Sequence, residues 1–452
     1  MKIVVIGDGK VGRTIIEHMS REKHEVIVID NNPKVIEQIV DMYDVMGVCG
    51  SGTSYETLKE AGVKKADVVC ATTSSDEINL LACVVAKSLG AKSTIARVRG
   101  HEYSQQVELM CQELEISMIV NPEKEAADEI LNIINLPEAA QIESFRKGEL
   151  EIVELFIPEK SPLVGLSLSS MHAKFPVEML VGIVERSDEV IIPNGSFVLA
   201  EKDKIHVVAS RANLRSFLTK LGFEETKLKD IMIIGGGKLS YYLAQQLIKG
   251  KYRVKIIEHN HDRCIELSDL LPQATIIHGD GTDQSLLLDE GLNGIDAVVS
   301  LTGIDEENII ISMYAQKQNV KKVIAKINKT ALSNILESVG VASVISPKDI
   351  TADRIISYVR STNNSRNSNI ERIFKLANGN VEAVEFVAKA KSKVIDKPIK
   401  ELSLRPNTLL AAIIRGDEVI IPTGNTAILE NDSVIVISKD LILYELNDIL
   451  GK

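Results

Sequence analysis

The chain is one unit written twice. Arg186-Ser187-Asp188-Glu189-Val190-Ile191-Ile192-Pro193 recurs as Arg415-Gly416-Asp417-Glu418-Val419-Ile420-Ile421-Pro422, an offset of 229 residues (422 − 193). The same offset carries Asp67-Val68-Val69 onto Asp296-Ala297-Val298, Asp76-Glu77 onto Asp305-Glu306 and Gly52-Thr53 onto Gly281-Thr282. Two glycine-rich starts align at 228 (235 − 7): Gly7-Asp8-Gly9-Lys10-Val11-Gly12 and Gly235-Gly236-Gly237-Lys238-Leu239-Ser240. Whatever fold the first half adopts, the second must adopt a version of it. The 452 residues then divide into two halves of two domains each. The expected boundaries are 1–135, 141–223, 229–361 and 370–452.

Each half opens on a nucleotide-type pattern. Lys2-Ile3-Val4-Val5-Ile6 is an almost continuous apolar run, as in buried strands of parallel sheets. The glycines follow, then a helical pattern from Val11 to about Arg21, then a second strand from His24 to Ile29 ending at Asp30. Strand, glycine turn, helix, strand and an acid about 20 residues past the glycines form the Rossmann arrangement. Gly7 permits the turn, Gly9 lets the backbone approach a pyrophosphate, and Gly12 lets the helix pack close. The helix start, including Val11, offers free N–H groups and a positive dipole end to phosphates. Lys10 can reach phosphate oxygens. Asp30 can accept hydrogen bonds from ribose hydroxyls and would repel a 2′-phosphate, so NAD(H) or an adenosine nucleotide is expected rather than NADP(H).

The pattern continues with a helix from Pro33 to Met42 capped by Asn32, and strands at 45–48, 67–72, 93–98 and 117–120. Six strands alternating with helices imply an α/β fold with a doubly wound parallel sheet. Its cleft would take in Asp8, Gly52 and Thr53, with Thr72, Thr73, Asp76 and Asn79 as candidates for a second ribose. Loop polarity and helix capping explain those last four equally well. In the second half Gly235, Gly237, Lys238, Leu239, Glu258, Gly281 and Thr302 stand at matching positions. Glu258 replaces Asp30 and Ser240 replaces Gly12.

The remainder of each half has a different texture. Glu151 to Ile157 alternates like a half-buried strand, Leu180 to Ile192 reads as a hairpin, Lys204 to Ala209 as a strand and Asn213 to Leu221 as a closing helix. Residues 373–452 are expected to repeat this small α+β lobe. The linker 222–229 is short and charged, and 362–368 is the most loop-like stretch.

Composition narrows the function. A net charge of −11, no Trp and 4% aromatic residues argue against nucleic-acid binding. Cys49, Cys70, Cys83, Cys111 and Cys264 include no C-x-x-C pair, so reduced thiols are expected. Nothing at the N-terminus resembles a signal peptide, and no apolar run reaches the ~18 residues of a membrane span. The chain is therefore expected to be cytoplasmic.

Taken together, the glycine turns, Asp30, Gly50-Ser51-Gly52-Thr53, Val120-Asn121-Pro122-Glu123 and the Asp188-to-Pro193 hairpin resemble the RCK (KTN) family. Two complete units in one chain are similar to the peripheral regulatory subunits of Trk-type potassium-uptake systems. The resemblance implies binding of NAD(H) and of ATP or ADP. It also implies assembly as a homo-oligomer, a dimer or tetramer forming an RCK ring, on the inner face of the cell membrane against a TrkH- or TrkG-type protein. In some ring-forming relatives the residue matching Lys10 contacts nucleotide phosphates, and the carboxylate matching Glu123 helps bind a cation between subunits. Lys348 follows Pro347 in the second half, so no cation site is assigned and no metal is expected.

Two other readings compete. An NAD-dependent oxidoreductase needs an acid or base at the nicotinamide end. His172 and His206 lack a spacing partner, and His259 and His261 flank the ribose acid at the other end. A structural ring scaffold with vestigial sites is the third reading. The expectation is a regulator without catalytic residues.

Overall fold

Lys2-Ile3-Val4-Val5-Ile6 forms strand β1 (Lys2–Ile6), with residues 3–6 buried. In the computed structural model of the chain, residues 1–452 are described except 105, 137–138, 140, 188, 224–227, 330–331, 333–335, 337–340, 342, 364–368 and 452. β1 pairs in parallel with β2 (Glu25–Asp30) on one side, and β2 with β3 (Met46–Cys49). On its other side β1 pairs with β4 (Val68–Ala71), followed by β5 (Ser93–Arg97) and β6 (Met118–Val120). The order β3-β2-β1-β4-β5-β6 reverses between β1 and β4, and ligands of such sheets bind beyond the strand ends at that point.

Helix Lys10–Arg21 buries Val11, Ile15 and Met19 together with Gly12 and Ile16, a stripe at helical spacing. Asn32 Oδ1 accepts the Lys34 N–H at 3.1 Å, the expected cap of helix Pro33–Met42. The second half repeats the plan. Strands β12 (Asp230–Ile234), β13 (Arg253–Glu258), β14 (Thr275–His278), β15 (Ala297–Ser300), β16 (Lys322–Lys326) and β17 (Ser343–Ile345) form a parallel sheet of order β14-β13-β12-β15-β16-β17.

The two small lobes are antiparallel. The first contains β7 (Ile142–Phe145), β8 (Leu150–Phe156), β9 (Leu180–Arg186), β10 (Glu189–Ile191) and β11 (Lys204–Ser210), in the order β10-β9-β11-β8-β7. The second contains β18 (Asn369–Leu376), β19 (Val381–Val387), β20 (Thr408–Arg415), β21 (Glu418–Ile420) and β22 (Ser433–Lys439), in the order β18-β19-β22-β20-β21. The sequence reading missed β7, which is too short to show a period. It also expected both lobes to end alike. Helix Arg211–Lys220 closes the first, but the second ends in the 3₁₀ turn Leu446–Ile449. The expected loop at 362–368 begins as helix, since Pro347–Asn363 is helical, and its remainder lies outside the described residues, as do 224–227 of the linker and Asp188 of the hairpin.

The retained hairpin has a physical cause. Arg186 donates to both carboxylate oxygens of buried Asp203, at 2.8 Å each, and Arg415 does the same to Asp432 at 2.9 and 2.8 Å. Each Arg also donates to a backbone carbonyl, Val198 O or Ala427 O. A bidentate pair on a buried carboxylate fixes both partners at one spacing.

The chain forms two compact units that cut across the repeat. One comprises Met1–Leu131 with Lys229–Val359, the two parallel sheets; the other comprises Asn132–Leu228 with Arg360–Lys452, the two lobes. Within the lobe unit, Phe145, Ile152, Ile183 and Val208 share a core with Ala383, Ala412, Ile414 and Ile437. Within the sheet unit the halves exchange packing. Ala352, Ile355, Ile356 and Val359, from the last helix of the second half, are buried with Ile3, Val5, Ile15 and Ile16 of the first. Helix Pro122–Asn135 of the first half meets the second in return. Its Asp128 accepts from Gln246 Nε2 at 2.6 Å, and Glu125 pairs with Arg354.

The glycine turn and the exchanged helices each have a measurable consequence. A Cβ on Gly12 would lie 2.1 Å from Gly7 O and 2.8 Å from Thr72 Oγ1. Gly12→Ala should therefore lower the thermal midpoint, at a cost of about 1–3 kcal/mol or more. Ser240→Ala, which removes one hydroxyl bond, should cost about 1 kcal/mol. The second concerns Glu129 on helix Pro122–Asn135, whose carboxyl is pushed up from 4.5 to about 8 by burial, with Asp353 adding like charge. Between those values the folded state holds a proton that the unfolded chain has lost. Stability should therefore fall as pH rises through the window, at up to roughly 1.4 kcal/mol per pH unit. Glu129→Gln should flatten that slope in melts followed from pH 5 to 8.

Candidate functional site

Both glycine turns sit at the reversal point of their sheets. Gly7 has φ +92°, and a Cβ there would meet Thr73 at 3.0 Å; Gly235 has φ +98° against Leu301. Both positions need glycine for the left-handed backbone and for the close approach of the next loop. A Cβ on Gly52 would lie 2.1 Å from Ile6, and one on Gly281 2.2 Å from Ile234, so these glycines hold the loops after β3 and β14 against the turns. Gly9 and Gly237 precede helices Lys10–Arg21 and Lys238–Lys249, and a Cβ on Gly237 would point into open space. The backbone N–H groups at Lys10-Val11-Gly12 and Lys238-Leu239-Ser240 thus belong to helix first turns.

The third glycine of the first turn and its serine counterpart solve one problem in two ways. Thr72 is buried, and its hydroxyl donates to Ile6 O at 3.2 Å and Gly7 O at 3.1 Å. In the second half Leu301 stands in the place of Thr72, and Ser240 Oγ donates to Gly235 O at 2.5 Å. The hydroxyl that holds the turn carbonyl has moved from the strand end to the helix.

The acids at the ends of β2 and β13 are fixed alike. Asp30 accepts the N–H groups of Asp8 at 3.0 Å and Asn32 at 2.9 Å. Glu258 accepts those of Gly236 at 2.6 Å and Asn260 at 2.7 Å, with His259 Nδ1 3.0 Å away. The remaining ribose candidates have structural work. Asn79 Oδ1 accepts from Thr73 N and Oγ1, and its amide donates to Arg97 O. Asp76 accepts the N–H groups of Arg99 and Gly100. Thr302, Asn308 and Asp305 repeat this. Thr53 Oγ1 lies 3.0 Å from Ser51 Oγ in an exposed loop.

A cavity of 780 Å³ joins the second glycine turn to the first half. That volume lies within the roughly 300–1,000 Å³ of small-molecule sites. Gly235, Gly236, Gly237, Lys238, Leu239, Glu258, Gly281 and Thr302 line it from the second half, and Lys10, Val11, Arg97, Arg99 and Glu123 from the first. Six cationic side chains reach it: Lys10, Arg97, Arg99, Lys238, Lys326 and Lys348. The carboxylates there are Glu123, Glu258, Asp280 and Glu307. Burial dominates the titration of two of these cations. Burial lowers Lys326, and Lys10 adds like charge; burial lowers Arg97, and Arg99 adds to it. Arg99 Nε donates to Glu123 Oε1 at 2.6 Å, while Arg97 Nε and Glu123 Oε2 are buried with no hydrogen-bond partner. The buried, unpaired Arg97 Nε–H beside the other cations suits a phosphate oxygen of a nucleotide.

Arg97, Arg99, Lys326 and Lys348 were missed as site residues. Arg97 and Lys326 end β5 and β16 at matching positions, and a cation kept at the same strand end in both copies was the available signal. Lys348 was read only as the loss of a carboxylate. Of the histidines, His259 lines the cavity beside Glu258, while His206 is buried 2.7 Å from Glu185 Oε1 and His172 lies on helix Leu168–Lys174.

Two family models match, each in both halves of the chain. The TrkA-N domain matches residues 3–122 and 231–347, and the TrkA-C domain matches 152–222 and 383–451. The Trk system potassium uptake protein TrkA of Halomonas elongata is 32% identical over 97% of this chain and 96% of its own length. The protein of the same name from Vibrio alginolyticus is 32% identical over 96% of this chain and 95% of its own length. Among solved structures, the GsuK channel bound to NAD superposes with a TM-score of 0.64 at 19% identity, covering 97% of this chain and 77% of that one. The GsuK RCK domain gives 0.64 at 18% identity, covering 97% and 92%. Both structures have the same fold, and the sequence matches place this chain in the TrkA family of Trk-system potassium uptake proteins.

Proposed function

We propose that this chain is a nucleotide-sensing regulatory subunit of a Trk-type potassium-uptake system. The carrying observation is the shared cavity, where cations of the first half face the glycine turn of the second. A ligand whose ribose lies at Glu258 and whose phosphates reach Lys10 or Arg99 touches both halves. Its binding free energy then depends on how the halves are disposed, which is the condition for a ligand to shift a conformational equilibrium. A tenfold preference for one arrangement corresponds to about 1.4 kcal/mol. NAD(H) and ATP or ADP fit this chemistry, and the related GsuK channel has been solved with NAD and with ADP.

The bound nucleotide acts as an effector in this reading. The histidine of the cavity wall, His259, adjoins the ribose acid, away from where hydride chemistry would need a proton donor. No described helix is long and apolar enough to cross a membrane. A place at the inner face of the cell membrane therefore comes through a TrkH- or TrkG-type partner. Exposed apolar side chains support self-assembly: Ile78 and Leu81 on helix Asp76–Leu89, and Ile310 and Met313 on helix Asp305–Lys317. Leu81 and Ile310 are repeat equivalents, so one chain offers two like faces to its copies.

Three outcomes are expected. NADH, NAD, ATP or ADP should raise the thermal midpoint of the purified protein, and both Glu258→Ala and Lys10→Gln should reduce that rise at least several-fold; no shift with any of them contradicts the nucleotide reading. Leu81→Asp combined with Ile310→Asp should lower the oligomer mass measured by light scattering without unfolding the chain. Potassium flux through a reconstituted Trk-type membrane protein should depend on the nucleotide present; flux indifferent to all four would remove the switch even if binding occurs.

A further inference from the structure

The first glycine turn carries a charge that a phosphate-binding turn should not carry. Asp8 stands between Gly7 and Gly9, where backbone N–H groups must approach an anion. Its side chain is 1% exposed, so water does little to screen it. Its own N–H is bound to Asp30 Oδ2 at 3.0 Å, which fixes the backbone and leaves the carboxylate in the turn. Arg13, on the following helix, answers it. Arg13 Nε lies 3.2 Å from Asp8 Oδ1 and 3.1 Å from Oδ2, and an Nη closes a third contact.

The internal repeat supplies a control. At the matching positions the second turn has Gly236 and Tyr241, so both charges are gone together. Gly236 O accepts Arg263 Nε at 2.7 Å, and Tyr241 packs against His101 with ring centroids 5.4 Å apart. The pair is a property of the first turn alone.

We propose that Arg13 is a positioning residue of the first nucleotide site: its guanidinium neutralises Asp8, and the turn accepts a phosphate only while that pair is intact. This rests on the nucleotide reading above and assigns the first site a control that the second does not have. An uncompensated carboxylate a few ångströms from a bound phosphate opposes it strongly in a half-buried setting. The nucleoside end of the ligand is held at Asp30 and would not feel the change.

The test uses the full chain in a Glu258→Ala background, so that calorimetric titration reads the first site. ADP and adenosine are the probes, and thermal melts check folding. Arg13→Gln should weaken ADP on the order of ten- to a hundredfold and leave adenosine unchanged. Asp8→Gly combined with Arg13→Gln should restore ADP to within about twofold of the parent. The proposal is overturned if Arg13→Gln leaves ADP unchanged, if it weakens ADP and adenosine alike, or if the double variant stays weak. Parent protein that binds neither probe would instead contradict the nucleotide reading at this site, and this proposal with it.

Discussion

Ala352, Ile355, Ile356 and Val359 belong to the last helix of the second half but are buried in the core of the first. Much of the rest depends on this packing. Burying four apolar side chains at about 25 cal/mol per Å² makes it costly to separate the halves. The return contacts, Glu125 with Arg354 and Asp128 with Gln246, add direction to that attachment. Two Rossmann-like sheets that could have stood as separate domains are thereby kept attached within one compact unit, with the end of one sheet turned toward the glycine turn of the other.

The cavity is a consequence of that arrangement. Lys10, Arg97 and Arg99 cannot serve the second glycine turn unless the halves are held together, and together with Lys238, Lys326 and Lys348 they outnumber the four carboxylates of the lining. Glu129, a half-buried residue whose carboxyl is pushed up by desolvation, lies on the same helix, so the attachment that builds the cavity also carries a titrating group. The design departs from a dinucleotide enzyme, in which one turn, one acid and one substrate lobe suffice. In the proposed function a ligand reports on the relation between two copies of the fold.

Most of the fold was legible in the sequence because it is written in local patterns. Apolar runs such as Ile3 to Ile6 announce buried parallel strands, the glycines mark the turns, and Asn32 marks a helix start. The repeat at 229 doubled each signal. The exchange of helix Pro347–Asn363 was not legible, because its apolar stripe fits either sheet and only three-dimensional packing selects one. The site was half legible. Gly7, Gly9, Asp30 and Glu258 follow from the Rossmann pattern. Thr72 and Asn79 are polar residues at the cleft whose hydrogen bonds hold the turn and the neighbouring strand end, and Asp76 Oδ2 accepts two backbone N–H groups while its Oδ1 is buried without a partner. Arg97 and Lys326 were hidden at strand ends. The change of Gly12 to Ser240 goes with the change of Thr72 to Leu301, and the turn is held by one hydroxyl in both copies.

Nucleotide binding in the shared cavity should alter the disposition of the two sheets, and a distance between them measures this directly. Spin labels at Glu60→Cys and Asp289→Cys, exposed equivalent positions of the two halves, can be placed after replacing Cys49 and Cys111 with Ser. Pulsed dipolar spectroscopy with and without saturating nucleotide should give distance distributions with shifted maxima. Superimposable distributions, in protein shown by calorimetry to be saturated, would contradict the claim that the cavity couples ligand to conformation.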